Sequence, residues 1–276
     1  MTIQTRAMLA QLSISQWTAR KQDKAVTAEV EKAHAAHDSG RFNKALVNKG
    51  LLEPISKIAA KVREYHYKMT LPWNANGAWL LPSSMFMDYT AQIRVFKTEF
   101  DKAVRDMLGQ YPTEVQAARN RLGTMYDPGD YPDPSTLRDK FSINVEFTPM
   151  PDAQDFRVDV SNEALDELRT SVTQAVAERQ HQAVKACYAR IEDVVSKIYE
   201  RLSVPDAIFK DSLITNAIEL CQVLDGLNIT DDPGITAICQ KIRDELLMPP
   251  STLRSSPTIR ARTATAAQEI LQKLHG

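Results

Sequence analysis

From Ser161 to Leu202 the sequence holds neither glycine nor proline, and apolar residues return every three or four positions. The stripe runs through Leu165, Leu168, Val172, Val176, Val184, Cys187, Ile191, Val194, Ile198 and Leu202. That period is the signature of one face of an α-helix, and Ser161 or Asn162 supplies its N-cap. About forty residues at 1.5 Å each make a rod of roughly 60 Å. A rod of that length belongs to a long helical hairpin, a coiled coil or an oligomer. Leu165, Val172, Cys187, Ile191, Val194 and Ile198 form its candidate assembly seam. The helices expected downstream are short, so the seam is expected to pack on another long helix or on a second subunit.

The other long seam lies upstream. Phe86, Tyr89, Ile93, Phe96, Phe100, Val104 and Leu108 predict an amphipathic helix over 84–110, and Pro112 opens a shorter one ending near Gly123. Two further helices are expected over 23–37, halted by Asp38-Ser39-Gly40, and over 54–67, with Pro54 in its first turn. Leu71–Pro82, with two prolines, Trp73 and Trp79, reads as an ordered loop pinned by its aromatics. The run from Asp127 to Pro134 contains three prolines and reads as a crossover loop.

Beyond that loop, Phe141, Ile143, Val145 and Phe147 alternate with polar residues, as do Phe156, Val158 and Val160. The pair predicts an antiparallel hairpin, and Met8–Ile14 offers a third strand, although a helical reading of that stretch stays open. After Leu202, helix starts are expected at Ser203 with Asp206, at Asp232-Pro233 and at Ser256-Pro257, the last two separated by a Pro/Ser-rich linker over 248–256. The fold class is therefore mainly α (α+β). The expected architecture is an elongated bundle of long amphipathic helices with a small antiparallel hairpin or three-stranded sheet. A division into 1–160 and 161–276 follows.

Several chemistries find no foothold. Only 9 of 276 residues are glycine, which argues against Rossmann and P-loop architectures, and neither GxxxxGK[ST] nor GxSxG occurs. Cys187, Cys221 and Cys239 lack CxxC spacing and read as buried thiols. His34 and His37 stand three apart on one helix without a third ligand. Asp127, Asp130 and Asp133 have the opening spacing of a calcium loop but lack its glycine and closing glutamate. No cofactor is implied. No stretch approaches the length and apolarity of a membrane span, so the expected compartment is the cytoplasm, the host's if the chain is phage-encoded.

Net charge is −1, yet residues 1–125 carry 18 Lys+Arg against 11 Asp+Glu, while 126–200 carry 8 against 15. This asymmetry serves an anionic partner or lets the two segments face one another. For the first alternative the candidates are Trp17, Arg20, Lys21, Lys24, Lys57, Lys61, Arg63, Lys68, Tyr65, Tyr67, Trp73 and Trp79, because cationic grooves with stacking aromatics hold single-stranded nucleic acid.

The run Leu12-Ser13-Ile14-Ser15-Gln16-Trp17-Thr18-Ala19-Arg20-Lys21, the helix Ile55–Tyr67 with the loop to Leu81, the 84–110 helix ending at Tyr111 and the Phe141–Phe147 strand make residues 12–160 resemble a known family. It is a family of uncharacterised bacteriophage and prophage proteins, a domain of unknown function. The resemblance implies a mobile-element origin and, because members are often encoded near MoxR-like AAA+ ATPases, a partner role beside such an ATPase. It carries over no functional residues. The expected function is that of a non-enzymatic interaction or assembly protein, which associates with itself or with another protein. The alternative is binding of single-stranded DNA by the basic first half.

Overall fold

A computed structural model describes residues 3–74, 76–153 and 161–275. The protein is mainly α with a small β part. In chain order the elements are α1 (Ile3–Arg6), β1 (Ala7–Ser15), β2 (Arg20–Gln22), α2 (Lys24–Ala33), β3 (Asn43–Ala45), α3 (Lys49–Met69), β4 (Leu71–Pro72), β5 (Ala78–Pro82), α4 (Phe86–Leu122) and α5 (Pro134–Arg138). There follow β6 (Ser142–Pro149), α6 (Asn162–Leu202), α7 (Ser212–Leu227), α8 (Pro233–Glu245), α9 (Pro250–Ser255) and α10 (Pro257–His275).

Four strands form one sheet in the order β4-β5-β1-β6, and β2 pairs with β3 in a second. The expected strands over 8–14 and 141–147 are present. The expected Phe156–Val160 strand lies outside the described residues. The 71–82 segment corrects the loop reading: it is the hairpin β4–β5, with Leu71 opposite Leu80 and Pro72 opposite Trp79. Its turn closes because the Asn74 side chain accepts from the N–H groups of Asn76 and Ala78 at 3.0 and 3.1 Å and Gly77 takes φ 85. Pro72 is tolerated because β4 is an edge strand, where a missing N–H breaks no ladder.

The chain divides into two compact units. The first comprises residues 1–11, 66–89 and 146–276. Within it α6 begins at the expected Ser161 cap, whose side chain accepts from the Ala164 N–H. Its buried stripe is Val176, Ala183, Cys187, Ile191, Val195, Ile198 and Leu202. Val194 and Val184 are each displaced by one position from the buried line. The helix packs chiefly on α10 and α7, which corrects the expectation that short C-terminal helices leave it uncovered. Two of them lie along it, and α10 buries Thr263, Ala264, Ala266 and Ala267, small side chains that let helix backbones approach closely. Asp232 caps α8 through the N–H groups of Gly234 and Ile235, with Pro233 in the first turn, as its sequence predicts. The Ser256 hydroxyl accepts from the Ile259 N–H at the start of α10. Short α9 occupies the 248–256 segment read as a linker.

The second unit comprises residues 12–65 and 90–145. Here α3 presents Ile55, Ala59 and Val62 to the core, and α4 presents Phe100, Val104, Met107, Tyr111, Ala118 and Leu122. The α4 stripe keeps its phase through Pro112, which lies inside one 37-residue helix and does not start a new one. A proline removes one intrahelical hydrogen bond, and continuous burial on both sides of it offsets that loss. The single proline of α3 behaves likewise, since the helix starts at Lys49, five residues before Pro54.

From this unit the β2–α2–β3 arm extends, and α2 buries no residue. The arm is fastened by Lys44, 7% exposed, whose ammonium reaches Asp130 at 2.7 Å, Asp23 at 3.5 Å and the Met125 carbonyl at 2.6 Å.

Candidate interaction surface

The arginines of this chain repeatedly spend their donors on carbonyls at chain bends. Arg190 on α6 donates to the carbonyls of Tyr67, Lys68 and Thr70 at 2.7, 3.0 and 2.6 Å, closing the end of α3. Arg121 donates to Ala45 and Leu46 at 2.9 and 3.2 Å. The last carbonyls of a helix have no partner within it and carry partial negative charge, so a guanidinium satisfies several at once.

The densest example organises the connection between α6 and α7. Arg260 of α10 donates to the carbonyls of Leu202 at 3.2 Å, Arg201 at 2.7 Å, Val204 at 2.9 Å and Ala207 at 2.9 Å. Arg254 of α9 donates to the Phe209 carbonyl at 3.0 Å and pairs with Asp211. Both guanidinium groups lie over the Phe209 ring, at 4.9 and 5.6 Å from its centre. Asp206 turns the loop with φ 60. A helix start at Ser203 is therefore corrected: Ser203 ends α6, its N–H bonded to the Tyr199 carbonyl, and α7 starts at Ser212. The carbonyls that a new helix would use are held by Arg260.

Between the pinned residues Ala207 and Phe209, Ile208 stands 92% exposed, and nearby Val204 is 53% exposed. A groove of about 360 Å³ opens beside Ile208, walled by Arg201, Phe209, Leu213 and Asn216. A second, of about 470 Å³, lies over Leu202, Leu253, Ala261 and Ala264. A loop already fixed loses little freedom on binding, which favours recognition through it. The sequence signal for this surface was absent, because Arg254 and Arg260 come from elements some fifty residues downstream.

The seam residues named from the sequence fall in two groups. Cys187, Ile191 and Ile198 are consumed in the interior of the first unit. Leu165, Val172 and Val194 are half-buried, and Leu168 is 39% exposed.

The basic and aromatic candidates are also divided. In the second unit, Trp17 packs edge-on against Tyr111 with ring centres 5.8 Å apart, and Tyr65 packs on Phe96. Lys57 pairs with Glu53 at 2.8 Å, and Lys21 lies 3.9 Å from Asp130. Arg20, Lys24, Lys61 and Arg63 are exposed. Trp17 and Arg20 share a groove of about 420 Å³ with Lys49 at the start of α3. In the first unit, Lys68 pairs with Glu219, Trp73 is buried under Arg179, and Tyr67 packs on Trp79 at 4.6 Å. These last two rings also flank His66.

The remaining candidates have structural duties. The Asp127 and Asp133 side chains accept from the N–H groups of Gly129 and Ser135, and Asp130 holds Lys44. His34 ends α2, and it and His37 are exposed. Among the described residues no group of three or more His, Cys, Asp and Glu side chains is arranged to hold a metal ion. The three thiols are buried and free; burial pushes the Cys187 thiol up to about 11, well away from reactive thiolate. No described helix is long and apolar enough to cross a membrane.

No curated protein and no solved structure matches the chain. A family model does: residues 5–203 match DUF3150, described as a protein of unknown function. With well over half its length so matched, the chain belongs to the DUF3150 family.

Proposed function

We propose that this chain is a non-enzymatic interaction and assembly protein of the bacteriophage type, which works in the cytoplasm beside an AAA+ ATPase of the MoxR kind. The observation that carries the reading is Ile208: a large apolar side chain almost fully in water, on a loop whose backbone is immobilised from both sides by Arg254 and Arg260. Exposed apolar groups on fixed backbone, bordered by grooves, mark surfaces that bind proteins. The resemblance to phage proteins encoded near such ATPases supports this choice of partner. Sedimentation of the purified chain with a MoxR-like ATPase tests the reading. Co-migration lost in Ile208→Asp supports it; no association with the ATPase or with itself contradicts it.

A second reading is binding of single-stranded DNA, favoured by the groove that gathers Trp17, Arg20 and Lys49. It requires salt-dependent binding of a labelled oligonucleotide, because each phosphate contact releases counterions. Trp17 already spends one ring edge on Tyr111, and several neighbouring lysines are paired, so we place this reading second.

A further inference from the structure

We infer that Cys221 and Cys239 are a redox-sensitive modification site, a thiol pair that a hydroperoxide oxidises to a disulfide joining α7 to α8. The inference is independent of the interaction reading above, because it concerns the buried side of α7 and not the loop before it.

The two cysteines meet because α7 and α8 form a helical hairpin. The Asn228 side chain holds its turn, donating to the Asp232 carbonyl at 2.9 Å and accepting from the Asp232 N–H at 2.8 Å. Cys221 lies seven residues before Asn228 and Cys239 seven residues after Asp232, so antiparallel helices bring the two to the same level. Each sits within the buried stripe of its helix, between Ala217 and Leu224 on α7 and between Ile235 and Ile242 on α8. The Cys221 thiol donates to the Cys239 carbonyl at 3.8 Å, and the Cys239 thiol is hydrogen-bonded to the Cys221 sulfur. Cys187 on α6 has other neighbours, the charges of Arg190 and Asp232.

The pair is asymmetric, which assigns the order of reaction. The hydrogen bond from Cys239, and then the Arg243 cation, lower the Cys221 pKa, whereas the same bond and burial raise that of Cys239. Arg243 is fixed at this level by donating to the Cys221 carbonyl at 3.1 Å and to the Asp225 carboxylate at 2.6 Å. Cys221 is thus the attacking thiolate and Cys239 the resolving thiol. The Cys221 sulfur takes one peroxide oxygen as the O–O bond breaks; it becomes a sulfenic acid, and the other oxygen leaves as water. The Cys239 sulfur then attacks the Cys221 sulfur. The S–S bond forms, the S–O bond breaks, and the Cys239 proton departs with the hydroxide as a second water. Two electrons pass from the two sulfurs to the peroxide. Both residues are 1% exposed. Hydrogen peroxide, hardly larger than water, reaches them when the hairpin opens locally, but a bulky oxidant such as glutathione disulfide does not.

The test treats the folded full chain with hydrogen peroxide, alkylates the remaining thiols in urea and maps the peptides by mass. The alkylated thiols are expected to fall from three to one, with a peptide linking Cys221 to Cys239, and dithiothreitol should restore all three. Glutathione disulfide should leave the three thiols unchanged. In Cys239→Ala, dimedone should trap a sulfenic acid at Cys221; in Cys221→Ala, Cys239 should stay reduced at the same peroxide concentration. The mapping of the wild type requires neither variant to fold. Three thiols that survive peroxide, a bridge that forms only in the urea-unfolded chain, or a bridge that includes Cys187 overturns the inference. A sulfenic acid trapped at Cys239 in place of Cys221 overturns the assignment of the attacking thiol.

Discussion

The ammonium of Lys44 lies 2.7 Å from the carboxylate of Asp130, joining strand β3 to the proline-rich crossover loop more than eighty residues later. The same ammonium meets Asp23, the N-cap of α2. The hydrogen bond to Asp130 raises the Lys44 pKa, and the Val26 N–H, with help from Lys44, holds the Asp23 carboxyl below its usual range. The contrast between basic first half and acidic middle is thus realised in part as an internal clasp.

Lys44→Met should therefore strand two carboxylates at the base of the arm, the situation in which a broken buried pair destabilises most. Protease cleavage within residues 24–42 should rise sharply and the melting temperature should fall. Asp130→Asn, which keeps an acceptor oxygen for Lys44, should do less. Equal resistance to cleavage in wild type and Lys44→Met would show that the clasp does not hold the arm.

His66 gives a pH dependence. It is 1% exposed; Nδ1 shares a hydrogen bond with the Tyr89 hydroxyl at 2.7 Å, and Nε2 is buried without a partner. Burial pushes its pKa down to about 4. Below its unfolded value of about 6.5 the unfolded chain takes up the proton first. The stability that neutral His66 contributes is full above that pH and is lost as pH falls towards 4, by about 3 kcal/mol in all. His66→Gln should flatten the denaturation midpoint between pH 6.5 and 4. A slope unchanged in the variant would assign it to other groups.

Gly226 on α7 sits so close to Met85 that a Cβ there would collide with the Met85 side chain. Gly226→Ala should gain helix propensity yet lose about 1–3 kcal/mol to overpacking, read from urea denaturation. A variant more stable than wild type would show that Met85 moves aside freely.

Ile143 in β6 is 8% exposed, and Ile143→Asp should cost several kcal/mol, roughly 3 or more, by burying a charge. The neighbours on its face are treated unequally. Phe141 is buried, Val145 half-buried, and Phe147 37% exposed, although its ring packs on Phe86 at 5.2 Å and on Tyr89 at 6.2 Å. Phe147→Ala should therefore cost less than Phe141→Ala. The reverse order would contradict the burial gradient along β6.

That gradient shows what the sequence discloses. Period alone located α4, α6 and β6, because a repeat of 3.6 or 2 residues is a local property. Residue type located the caps at Ser161, Asp232 and Ser256, where the accepting side chain and the donor N–H lie within three residues of one another. Period does not say which neighbour covers a face. The burial of α6 by α10 depends on a helix whose buried face is mostly small residues, which carry little hydrophobic signal, whereas α7 covers α6 although its Ile214, Leu224 and Leu227 do not say which neighbour they meet. Pro112 misled because its cost was read without the packing that offsets it. The β4–β5 hairpin hid behind two prolines and was set by a single Asn74 side chain. The α6–α7 surface was invisible because it is built by Arg254 and Arg260, residues whose partners no spacing rule connects. Their long-range carbonyl contacts also changed Ser203 from a helix start to a helix end.

The central claim, that the α6–α7 loop is where this protein meets others, is tested most directly by amide hydrogen exchange of residues 203–216. Exchange would be measured in dilute solution, in concentrated solution and with the AAA+ ATPase. Added protection confined to this segment, in the concentrated sample or the mixture and absent in Ile208→Asp, is the result predicted. Exchange in 203–216 that stays the same in all three conditions would contradict it.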